Sequence, residues 1–102
     1  MMASAIRIPV SSTEYLKVSI TADVTLSAQT VDIAIIPARS RPVALDWIPA
    51  SWTGSPGTTR AAMILIGPGT ANVIVLGEYD VWTKVSDNPE VPTDPAGRLT
   101  VY

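Results

Sequence analysis

The chain has 102 residues, with seven Lys and Arg against nine Asp and Glu, and neither His nor Cys. That length suits one domain with one modest core, and 47% apolar against 16% charged residues sets it apart from disordered chains. A net charge of -2 supplies no large positive field for nucleic acid, the missing Cys excludes disulfides and thiolate metal sites, and the missing His removes serine-histidine catalysis and the usual pH switch near neutrality.

Met1 to Arg7 carries no apolar core of signal-peptide length, and the longest apolar run, Ala61 to Ile66, is too short to span a bilayer. A soluble protein without a classical secretion signal or membrane partner is expected. Ile6 to Val10 reads as a first edge strand, where Pro9 is tolerated. Glu14 to Ala22 alternates with Leu16, Val18 and Ile20 on one face and Lys17, Ser19 and Thr21 on the other, as a half-buried strand requires. Thr30 to Pro37 repeats the pattern through Val31, Ile33 and Ile35. Its opposite face carries Ala34 and Ile36, so that face is a candidate for contact with a partner. Between Arg39 and Pro56, Trp47 and Trp52 stand among Pro42, Pro49, Gly54 and Pro56, which predicts short strands at Leu45 to Ile48 and near Trp52.

Thr59 to Ile66 and Asn72 to Val75 read as successive strands divided by the turn Gly67-Pro68-Gly69. Leu76 to Ser86 has the pattern of the penultimate strand of an immunoglobulin-like sandwich, approached through a tyrosine corner at Tyr79. Strand parity turns Tyr79, Val81 and Val85 inward and Glu78, Asp80, Trp82 and Lys84 outward. Ser86 to Ala96, with Pro89, Pro92 and Pro95, reads as an extended loop, and Gly97 to Tyr102 as an ordered final strand with Leu99 and Val101 inward. No window carries a long helical period. The expected fold is therefore all-β, an immunoglobulin-like antiparallel β-sandwich of about seven strands, with residues 1–102 as a single domain.

Chemistry is scarce. Asp87, Glu90 and Asp94, with Asn88, offer oxygen atoms to calcium but lack EF-hand spacing, so a solvated loop is the better reading. Glu78 and Asp80 share a strand face as surface carboxylates without an acid/base partner. Ser11, Ser12 and Thr13 have no histidine to activate them, and nothing places Lys17 or Lys84 beside a serine. Gly67-Pro68-Gly69-Thr70 lacks the ending of a phosphate loop. Arg39 and Arg41 form a small basic cluster, for which a structural ion pair is the expected role. Trp47 or Trp52 is expected in the core, and Trp82 on the outer face is an interface anchor unless the proline-rich loop folds over it. No catalytic, cofactor-binding or metal residue is assigned and no cofactor is expected. The candidate interface residues are Trp82, Ala34, Ile36 and Trp52.

Three stretches carry a family resemblance: Ala61-Ala62-Met63-Ile64-Leu65-Ile66-Gly67-Pro68-Gly69, then Gly77 to Pro92, then Gly97-Arg98-Leu99-Thr100-Val101-Tyr102. With Ile8-Pro9-Val10-Ser11-Ser12-Thr13-Glu14-Tyr15 they resemble small immunoglobulin-like virion proteins of tailed phages that infect Actinobacteria. The resemblance implies a non-enzymatic structural role in the virion, assembled in the host bacterial cytoplasm. A capsid decoration or minor capsid protein on the major capsid lattice is the leading expectation, as a homo-oligomer or lattice-bound multimer. A neck or tail component is the alternative, as is a carbohydrate-binding module that stacks sugars on Trp47, Trp52 or Trp82.

Overall fold

The computed structural model describes residues 4–86 and 93–102. Seven strands follow in chain order: β1 (Ser4–Ile8), β2 (Glu14–Leu26), β3 (Thr30–Pro37), β4 (Trp47–Thr53), β5 (Gly57–Ile66), β6 (Gly77–Ser86) and β7 (Thr93–Val101). They hydrogen-bond in the order β1-β7-β6-β3-β4-β5-β2, and the sheet curls on itself around one core. The triplet β7-β6-β3 and the pair β5-β2 are the two facing ladders of an immunoglobulin-like sandwich. β4 joins them by changing partner midway: Trp47 to Ala50 pair with β3, and Ser51 to Thr53 pair with β5.

Alternation builds the core. Leu16 and Val18 of β2, Val31 and Ile33 of β3, Ile64 and Ile66 of β5, Val81 and Val85 of β6, and Leu99 and Val101 of β7 form one buried cluster. The members of each pair are two residues apart, or four for Val81 and Val85, so one face of each strand supplies them. β2 runs past the expected Ala22 to Leu26; its register on β5 shifts between Thr21 and Leu26, and Leu26, opposite Gly57, is buried.

Several expectations need correction. β1 pairs parallel with β7, so the sheet is mixed; it ends at Ile8 and leaves Pro9 outside. Leu45 is not in a strand: Ala44–Asp46 is a 3-10 turn, and the two short strands foreseen around Trp47 and Trp52 are one strand. Pro49 is accommodated because that half of β4 is paired only with β3. β7 begins at Thr93, four residues earlier than expected, with Ala96 as an extra residue between Pro95 opposite Trp82 and Gly97 opposite Val81. Asn72 to Val75 is not a strand either. There the chain crosses from the β5 ladder to the β6 ladder and pairs with neither, and only Ile74 of this run packs on the core.

The tyrosine corner is present. Tyr79 Oη donates to the Val75 carbonyl at 2.8 Å and ties the crossing segment to the start of β6. The turn before it is closed by Gly67 N donating to Asn72 O at 3.0 Å and by Thr70 Oγ1 donating to Gly67 O at 2.7 Å. Gly67 has φ 114 and lies against the backbone of Ser12 and Thr13, where a Cβ would collide with the Ser12 carbonyl oxygen. Thr13 Oγ1 fastens the same approach by donating to Pro68 O at 2.7 Å.

Tyr79→Phe should therefore lower stability by about 1 kcal/mol, the net worth of one hydrogen bond, read as a lower thermal midpoint by circular dichroism. Gly67→Ala, combining a disfavoured backbone angle with a backbone collision, should cost more than Tyr79→Phe. An unchanged midpoint in either variant would contradict the geometry.

Candidate functional site

Parity around β6 is as the sequence predicts: Val81 and Val85 are buried in the core, while Trp82 and Lys84 stand on the outer face of the β7-β6-β3-β4 ladder. On that face Ala34 lies between Trp82 of β6 and Trp47 of β4, its cross-strand neighbours. Asp32 lies one pleat along, within 3.8 Å of Lys84 Nζ, and the Lys84 ammonium sits 4.8 Å from the Trp47 ring centroid.

Ala34 and Ile36 are not available to a partner. They are 0% and 3% exposed, although neither belongs to the contiguous core cluster. Ala34 is the smallest side chain in its row, and the flanking indoles close over it. Trp82 is half-buried, and its Nε1 is enclosed without a hydrogen-bond partner among the described residues. The proline-rich run thought to cover it lies largely outside the described residues, as do Asp87, Asn88 and Glu90 of the calcium reading.

Trp52 is the tryptophan that packs on the core, so its place among interface residues is corrected. Its Nε1 donates to Gln29 O at 2.7 Å, and the Arg60 guanidinium lies 5.5 Å from its ring centroid. Arg60 also donates from Nη1 to Ser27 O at 2.7 Å and from Nη2 to Gly54 O at 3.1 Å. One guanidinium thus binds the β2–β3 turn to the β4–β5 turn at one end of the sandwich, where the described loop residues, Ser27 to Gln29 and Gly54 to Pro56, are small or polar.

The opposite end differs in kind. The strand directions gather there the Pro9–Thr13 loop, the β3–β4 connection 38–46, the β5–β6 connection 67–76 and Tyr102. Ten large apolar residues are exposed among the described residues, and nine lie at this end. Val10 and Tyr102 meet where Val10 N donates to Tyr102 O at 2.6 Å, with Arg7 over the Tyr102 ring. Tyr15 and Leu65 are cross-strand neighbours beside a depression of about 360 Å³, which is also lined by Met63, Ala71 and Asn72. Val43 and Leu45 come from the β3–β4 connection, and Val73, Val75 and Leu76 from the β5–β6 connection. The tenth, Val24, sits at the far end. Single exposed apolar residues are ordinary on any protein, but the gathering at one end of nine of the ten found among the described residues is not.

Charges near this end are mostly engaged. Asp80 Oδ2 accepts from Arg39 N at 2.8 Å, and its Oδ1 faces Arg98 Nε at 3.4 Å, while Arg98 Nη1 lies 3.8 Å from Glu78. The two β6 carboxylates are thus spanned by one arginine. The ion pair expected of Arg39 and Arg41 does not form among the described residues, and their exposed side chains border the apolar loops. No group of three or more potential metal ligands occurs among the described residues.

No protein-family model matches the chain, and neither does any curated protein or solved structure. The apolar end is what sequence reading missed, and a signal for it was present. Once Tyr79 is a tyrosine corner, the run Val73-Ile74-Val75-Leu76 precedes the strand and belongs to a connection, where three of four apolar side chains have no core to join.

Arg60→Ala should leave the carbonyls of Leu26, Ser27 and Gly54 without their donor and uncover one face of Trp52. The expected result is a loss of about 1–3 kcal/mol and a red-shifted tryptophan emission, measured by denaturant unfolding and fluorescence. A variant with native midpoint and emission would show that the guanidinium does not hold this end.

Proposed function

We propose that the chain is a non-enzymatic structural protein of a tailed-phage virion, a capsid decoration or minor capsid protein docked on the major capsid lattice. The observation that carries this reading is the concentration of exposed apolar residues at one end of the β-sandwich. Such a surface suits a module that acts by docking: apolar area left in water in the free chain is removed from it on assembly, at about 25 cal/mol per Å² buried. The resemblance of Gly77 to Pro92 and Gly97 to Tyr102 to immunoglobulin-like virion proteins points the same way. Many copies on a repeating lattice can add modest contacts into firm attachment.

The tryptophans favour docking over sugar stacking. Trp47 is topped by Lys84, Trp52 by Arg60, and all three indoles are half-buried. Titration with host cell-wall saccharides is therefore expected to leave the emission unchanged.

Denaturing gels of purified full particles, empty heads and isolated tails test the placement. The chain is expected in full particles and empty heads. Presence only in tails would replace the capsid placement with a tail one, and absence from all three fractions would sink the virion reading.

A further inference from the structure

The β3–β4 connection is clamped at both ends by carboxylates. Asp80 accepts from Arg39 N at 2.8 Å while Arg39 holds φ 68, a left-handed conformation unusual for a residue with a side chain. At the other end Asp46 Oδ2 accepts from Val43 N at 2.8 Å, and Asp46 N donates to Val43 O at 2.9 Å, closing the 3-10 turn. Leu45 sits on that turn and is 96% exposed, more than any other large apolar residue described. A slack loop of this length would fold a leucine against nearby apolar surface. A clamped turn holds it in water, as a preorganised contact requires.

The one acid of this connection, Asp46, serves its own backbone, so the exposed Arg39 and Arg41 are its outward charges. Resting on the virion reading above, we infer that Leu45 is the anchor of the end-on contact, filling an apolar socket whose rim presents carboxylates to Arg39 and Arg41. A lipid surface fits less well. Glu14 and Glu78 are exposed near the same end and would meet anionic headgroups, and the depression beside Tyr15 and Leu65 gives the end a relief that suits a shaped protein surface. A second copy also fits less well, because contact through the same connection would set Arg39 and Arg41 close to the same two arginines of the other copy.

The test replaces the native gene in the phage with Leu45→Asp, Leu45→Met, Val24→Asp, or Arg39→Asn with Arg41→Gln. Copies of the chain per major capsid protein in purified particles are then measured by quantitative mass spectrometry, with circular dichroism of each purified variant as the folding control. Leu45→Asp is expected to lower occupancy roughly tenfold or more, while Leu45→Met and Val24→Asp retain it. The arginine pair is expected to lower occupancy and weaken its dependence on salt. Native occupancy for a folded Leu45→Asp would overturn the anchor and leave the virion reading intact. Native particles lacking the chain would overturn the virion reading and the anchor with it. If the purified chain instead binds phosphatidylcholine–phosphatidylglycerol vesicles, or sediments as a dimer, and Leu45→Asp abolishes either, the protein socket is overturned in favour of lipid or a second copy.

Discussion

The hydrogen bond from the Tyr79 hydroxyl to the Val75 carbonyl links the fold to the surface that gives this protein its character. By fixing how the chain passes from one ladder to the other, it determines which side chains of the crossing segment enter the core. Ile74 turns inward, while Val73, Val75 and Leu76 remain in water. The same tether sets the first residues of β6, and with them the parity that sends Val81 and Val85 inward and Trp82 and Lys84 outward.

The two ends of the sandwich follow opposite physical logic. At one, Arg60 satisfies carbonyls from two turns and lies over Trp52, so short polar loops are closed internally. At the other, hydrogen bonds fix the loops in place without burying their apolar side chains: Asp46 closes the Leu45 turn, Asp80 holds Arg39, and Gly67 lets the β5–β6 turn approach Ser12. A well-ordered loop that exposes apolar side chains forgoes hydrophobic stabilisation in the free chain. That loss is recovered only where another surface covers them.

Much of the fold was legible because alternation is a local signal. Leu16-Val18-Ile20, Val31-Ile33-Ile35 and Tyr79-Val81 each declare a strand and its inner face, and the tyrosine corner needed only a tyrosine near a strand's start. What failed depended on distant partners. Whether Ala34 faces a partner or lies beneath indoles depends on which residues stand beside it in neighbouring strands, and only the register with Trp47 and Trp82 answers that. Asn72 to Val75 has the composition of a strand, yet it is spent on the crossing from the β5 ladder to the β6 ladder and pairs with neither. Trp47 and Trp52 could not be told apart by spacing, because β4 changes ladder between them and puts only Trp52 against the core.

Under the virion proposal, the end bearing Leu45, Val43, Val73, Val75 and Leu76 is the one that meets the partner. A cryo-electron microscopy map of the assembled particle tests it most directly. The expected map shows this end buried against a neighbouring virion protein, with carboxylates beside Arg39 and Arg41 and the Arg60 end toward solvent. A map in which the Leu45 end points to solvent while the chain is held through its Arg60 end or its tryptophan face would contradict it.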